Sequence, residues 1–160
     1  MKERALHTEI LVNAPLEAVW EAWTTEEGVL SFLAPACKID LRPDGAYEIY
    51  FNPDAPPGER GGDGLKVLAV QPMQMLSFTW NAPPSLPQVR PQHTHVTLRF
   101  KAESDQQTWL SFHHDGWGSG GEWDKAYEYF QRAWFKVVLP RLQYRFDHGP
   151  VDWEDRPQFD

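Results

Sequence analysis

Cysteine is almost missing from this chain: Cys37 stands alone among 160 residues. No internal disulfide and no cysteine-built metal cluster can form from it. Positive charge is also short, with 15 Lys and Arg against 23 Asp and Glu, a formal charge of -8. Phosphate contacts need a basic face, so neither nucleic acid nor an anionic membrane surface is expected as a partner. No apolar run approaches the roughly 18 residues that cross a bilayer, so no membrane span is expected. Met1-Lys2-Glu3-Arg4-Ala5-Leu6 lacks the apolar stretch and small-residue cleavage site of a secretion signal, and the chain reads as cytoplasmic. What is present suffices for a core: 41% hydrophobic residues and 8 tryptophans. The length suits one compact domain, and that composition excludes disorder as the whole answer.

The order of elements is the strongest signal. Leu6, Thr8, Ile10 and Val12 alternate with His7, Glu9 and Leu11 as in a strand buried mainly on one face. Pro15 then opens a helix with Leu16, Val19, Trp20 and Trp23 on one stripe. Thr24 and Glu27 have the spacing of a capping box for a second, shorter helix ending near Leu33. Six inward sets follow: Cys37/Ile39/Leu41, Tyr47/Ile49/Phe51, Leu65/Val67/Ala69, Leu76/Phe78/Trp80, Val96/Leu98/Phe100 and Leu110/Phe112. With no helical pattern between them, they predict one antiparallel sheet. Two proline-rich loops interrupt the series, Asn52 to Gly62 and Asn81 to Pro91. Ser119 and Glu122 form a second capping box before a long helix, with Trp123, Tyr127, Phe130, Trp134, Val137 and Val138 on one stripe. Pro140 is expected to kink it. Residues 1–146 make the folded domain, and 147–160 an acidic, irregular surface tail.

This order gives an α+β fold in which a curved antiparallel sheet wraps one long C-terminal helix. Such a sheet does not close tightly everywhere, which leaves a cavity beneath the helix. Its walls are expected to be Tyr47, Phe51, Phe78, Trp80, Phe112, Tyr127, Phe130 and Trp134, a lining suited to an apolar or aromatic ligand. The competing account is that aromatic stripes at these spacings are plain core. Two polar residues stand out against either account. His114 extends the inward set Leu110/Phe112, and Arg141 falls on the Trp134 stripe. A polar group facing inward needs a partner or water, so His114 is either a satisfied core histidine or a group that orients a ligand.

Asn13-Ala14-Pro15-Leu16-Glu17-Ala18-Val19-Trp20-Glu21-Ala22-Trp23-Thr24, after the opening strand, resembles the start of START-like (SRPBCC) domains. The branch it resembles is related to activators of the ninety-kilodalton heat-shock chaperone ATPase. His113-His114-Asp115-Gly116-Trp117-Gly118, then Glu122-Trp123-Asp124-Lys125-Ala126-Tyr127 and Trp134, carry the second part of the likeness. The resemblance covers about residues 5–146 and implies a helix-grip fold with a ligand-accommodating cavity under the last helix. These motifs mark packing and turns, so they specify the fold and not the function. Lipid and polyketide binders, aromatic-ring cyclases and chaperone cofactors share it. Genuine co-chaperones carry a further N-terminal docking domain, and the first strand here starts within a few residues of Met1, leaving no room for one.

Other chemistry is thinly represented. His93 and His95 share a strand face and His113 can stand opposite, but alternation puts all three toward solvent, and no metal site is expected. Cys37 lacks an identifiable cation or helix N-terminus to make a thiolate. Gly116–Gly121 lacks the Lys and Ser/Thr of a phosphate loop. No cofactor is expected. Three functional readings follow. The first is a small hydrophobic molecule held in the cavity, with the two long loops at its mouth. The second is a protein-interaction module of the chaperone-cofactor type or a homodimer, using the Phe135/Leu139/Leu142/Phe146 stripe if nothing covers it. The third is a cyclase- or hydrolase-type enzyme with His114 as acid and base.

Overall fold

The computed structural model describes residues 4–159. Its first strand, β1 (Leu6–Val12), is followed by two helices, α1 (Leu16–Thr24) and α2 (Glu26–Leu30). Seven strands come next: β2 (Ala36–Ile39), β3 (Tyr47–Tyr50), β4 (Gly61–Gly62), β5 (Val67–Gln71), β6 (Met75–Trp80), β7 (Thr94–Ser104) and β8 (Gln107–Asp115). The last helix runs as α3 (Glu122–Arg132), a π-helical stretch (Ala133–Val138) and α4 (Leu139–His148). The fold is α+β, a helix-grip arrangement of antiparallel strands around a long C-terminal helix.

The strands form two sheets where one was expected. Five pair in the order β1-β8-β7-β6-β5, and three in the order β2-β3-β4. A single bridge, Ala46 to Lys66, and backbone bonds from Tyr47 N to Leu65 O and Val67 N to Gly45 O join them. Each expected strand set meets a strand of the structure, but the chain bends between β3 and β5, and the ladder continues only locally. β4 lies inside the segment expected to be loop, because two glycines carry no alternation to read. Leu41 falls beyond the end of β2 and is exposed, not inward. In β5 the register shifts between Val67 and Ala69, and Leu68 turns outward.

Both expected capping boxes are corrected. The cap of α2 is Thr25, whose side chain accepts from Gly28 N, one residue beyond Thr24. The cap of α3 is Gly121, without a side-chain bond, and Ser119 does not serve. Glu122 uses its carboxylate elsewhere, accepting from the Gln88 and Val89 amides and so tying the second long loop to the helix start.

The core lies between the sheets and the final helix. Tyr47 stacks on Phe78 at 4.3 Å, and Phe112 meets Trp134 at 4.7 Å. The α1 residues Trp20 and Trp23 close one end, Trp20 against Phe100 and Trp23 against Phe32. The second stripe of the last helix is covered from within the chain. Leu139 and Leu142 are buried, Phe135 sits edge-on to Phe112, and Gln143 donates to Leu11 O of β1. Beyond α4 the tail is irregular, yet it returns to the body: Val151 is buried and donates from its amide to Ser31 O.

Candidate functional site

The aromatic residues named from the sequence divide into two groups. Tyr47, Phe78 and Phe112 are fully buried, Tyr47 stacked on Phe78 and Phe112 packed on Trp134, so they are core. Tyr127 stands toward the start of the chain, its hydroxyl donating to Ala5 O and its ring beneath the Arg4 guanidinium. Phe51, Trp80, Phe130 and Trp134 come together and line a groove of about 350 Å³. The groove lies where the ends of β3 and β6 meet the final helix.

Its remaining walls come from Tyr129, Val137, Val138 and three arginines, Arg132, Arg141 and Arg156. A smaller recess of about 130 Å³ shares Phe51, Trp80, Tyr129 and Phe130 with it. That recess is bounded by Glu59, Arg60 and Gly61 from the first long loop and by Ala82, Pro83 and Pro84 from the second. The loops therefore border the mouth, and they are fastened together. Arg90 donates to Gly58 O, Gly61 O and Ala82 O. Burial alone would raise the Asp63 carboxyl, but bonds from the Gly58 and Arg60 amides and the Arg60 guanidinium hold it below its ordinary range.

The groove floor is rigid. Trp80 and Trp134 meet at 5.0 Å and are nearly buried, and Phe51 sits edge-on to Trp80. His114 fixes Trp134 from behind. The Trp134 indole N–H donates to His114 Nδ1 at 3.1 Å, which makes that nitrogen the acceptor. The proton is therefore on Nε2, which donates to Thr94 Oγ1 at 2.7 Å, and Thr94 in turn donates to Trp80 O. Trp117 seals the ring from the other side at 4.3 Å, donating to His114 O. Burial, with smaller contributions from His95 and His113, pushes the His114 pKa down to about 3. His114 is thus a neutral, fully bonded core group that does not line the groove. Its part is to position Trp134.

The π-helical stretch accounts for the shape of the helix side. Pro140 has no N–H to offer Lys136 O, and its ring would crowd that carbonyl in a regular helix. A wider turn over Ala133–Val138 relieves this, and the expected kink takes that form. It presents Trp134, Val137 and Val138 to the groove before α4 resumes with Arg141.

Elsewhere the chemistry is spare. His95 and His113 flank the Asp115 carboxylate at 3.6 and 3.4 Å on the outer sheet face. Among the described residues no group of three or more His, Cys, Asp or Glu side chains is placed to hold a metal ion. Cys37 is half-buried, and burial and then the Glu26 charge push its thiol up to about 11. Sequence reasoning missed Trp153 and Arg156. The signal available was a tryptophan in an otherwise polar tail.

Residues 13–142 match the family described as activator of Hsp90 ATPase homolog 1-like protein. The chain belongs to that family. No curated protein matches it. Among solved structures, the family fold is seen in MLL2253 of Mesorhizobium loti, at TM-score 0.71 and 21% identity, covering 92% of this chain and 100% of that one. The Aha1 dimer of Colwellia psychrerythraea is similar at TM-score 0.68 and 19% identity, covering 91% of this chain and 98% of that one. DynU16, from the dynemicin biosynthetic locus, is similar at TM-score 0.68 and 17% identity over 93% of this chain. This chain spans 49% of the length of DynU16. At these identities the likeness is one of fold. Among the described residues of this family member, no helix is long and apolar enough to cross a membrane.

Proposed function

We propose that this protein binds a small hydrophobic or aromatic molecule in the groove between the sheet ends and the final helix. The observation that carries this reading is the groove itself: about 350 Å³, walled by Phe51, Trp80, Phe130 and Trp134. Concave apolar sites of that size are where small molecules bind, and flat rings give contact area at little entropic cost. The reading is one of binding without chemistry, since His114 has both ring nitrogens engaged and stands behind Trp134. A likeness to a protein from the dynemicin biosynthetic locus agrees with a ligand of this kind.

The test is thermal unfolding against a panel of aromatic compounds and extracted cell lipids. A binder raises the melting temperature by mass action. The variant Val137→Trp fills the groove from its rim while leaving the core intact, and it is expected to unfold normally and lose the shift. If no compound stabilises the parent protein, the reading is wrong.

A second reading, a homodimer, is favoured by the likeness to a protein solved as a dimer. Leu139 and Leu142 of the Phe135/Leu139/Leu142/Phe146 stripe are buried within the chain, which leaves only Phe135 and Phe146 half-buried there. Leu68 and Tyr129 are large apolar residues that remain exposed. Sedimentation at dilute concentration distinguishes a species of 18.5 kDa from one of twice that mass.

A further inference from the structure

The groove has a cationic end that its aromatic walls do not explain. Arg141 is 8% exposed, and its Nε is buried without a hydrogen-bond partner among the described residues. A guanidinium carries five N–H donors in a fixed fork, and a buried one ordinarily meets a carboxylate or carbonyl oxygens. Here the guanidinium lies over the Trp153 ring, 5.2 Å away. That same ring also carries the Arg156 guanidinium at 5.2 Å. Two cations thus share one aromatic platform, and both line the groove.

The described tail acids do not resolve this. Among the described residues, no salt bridge joins Arg141, Arg156 or Arg132 to any carboxylate. Asp152 instead accepts from the Glu154 amide. Burial, and then the Arg156 charge, lower the Arg141 pKa from its ordinary value, which is the mark of a cation without a counter-ion. Burying the Arg141 Nε with no oxygen partner among the described residues is costly unless an anion arrives.

We infer that the ligand is an amphipathic acid, its ring or alkyl body along Phe51, Tyr129 and Val137 above the Trp80–Trp134 floor and its carboxylate or sulfonate on Arg141, with Arg156 completing the clamp. This rests on the binding reading above and adds the ligand's charge to it. Carboxylates and sulfonates both present a pair of oxygens to the guanidinium fork, which grips two at once.

A matched pair of fluorescent probes tests it: N-phenyl-1-naphthylamine, which is neutral, and its 8-sulfonate. Fluorescence titration of the parent protein is expected to show the sulfonate bound about tenfold tighter or more, the usual worth of a hydrogen-bonded charge pair. Arg141→Met is expected to abolish that preference while the neutral probe binds as before. Arg156→Gln, an exposed change that leaves the core untouched, is expected to reduce it severalfold, which keeps the test open if the Arg141 variant misfolds. Arg99→Gln, on the outer sheet face, is expected to leave it unchanged. If both probes bind the parent equally, or if the preference survives at both groove arginines, the acid assignment falls and the apolar groove stands. If neither probe binds, the groove reading falls as well.

Discussion

At the scale of single residues, His114 shows how one buried polar group is made safe. Its ring accepts from Trp134 and donates to Thr94, so every polar atom has a partner and the charged form has no place. The unfolded chain holds this histidine near its ordinary 6.5, and the fold pushes it down to about 3. Between those values the unfolded state binds a proton that the native state refuses. The resulting stability is fully present above 6.5 and is lost as pH falls toward 3, at about 1.4 kcal/mol for each pH unit. His114→Phe leaves the buried Trp134 indole N–H without an acceptor, so it is expected to be about 1–3 kcal/mol less stable near neutrality. The gap is expected to narrow as the pH is lowered through that window. Urea unfolding of both proteins across the range checks it, and a gap that stays constant refutes the neutral assignment. The inward placement of His114 was legible from its alternation with Leu110 and Phe112. Its partners were not, because each lies 20 residues away on another element.

Among the elements, side-chain periodicity was readable and backbone accommodation was not. The strand sets alternate, so their inward faces follow from sequence, whereas Gly61-Gly62 has no side chains to alternate and β4 went unseen. The π-helical turn has no residue signature beyond Pro140 itself, which marks a disturbance without saying which kind. The α1–α2 corner was read as a cap, but Gly28 is what permits it. A Cβ there would stand on the Glu21 carbonyl and the Ala22 backbone, which cannot swing away as a side-chain end can. Alanine usually stabilises a helix relative to glycine, by roughly 0.5–1 kcal/mol. Gly28→Ala is instead expected to destabilise by about 2 kcal/mol, as overpacking does, with a lower denaturant midpoint and an unchanged slope. The second loop offers a local counterpart. Glu122→Ala frees the Gln88 and Val89 amides, and hydrogen exchange at those two amides is expected to quicken while the β7–β8 amides stay protected.

For the molecule as a whole, the consequential feature is that the tail closes the fold it was expected merely to trail from. Its acids and prolines read as surface, and most of them are, but Val151 and Trp153 fasten it down. Trp153 donates from its indole to Leu30 O and carries Arg141 and Arg156 against its ring. One residue thus joins the α2 corner, the last helix and the cationic end of the groove. Composition could show an aromatic in the tail but not where a segment so remote in sequence would land. Trp153→Ala removes one hydrogen bond and two cation–ring contacts, and is expected to lower stability by about 1–2 kcal/mol. Exchange at the Val151 amide, which bonds to Ser31 O, is expected to rise toward that of an unstructured tail. Binding of the neutral naphthylamine probe is expected to survive, because Trp80, Phe130 and Trp134 remain in place. The sulfonate preference is expected to shrink, since both guanidiniums lose the surface that holds them at the groove. If Val151 stays as protected in the variant as in the parent, the tail is held by something other than Trp153, and its role in shaping the groove is refuted.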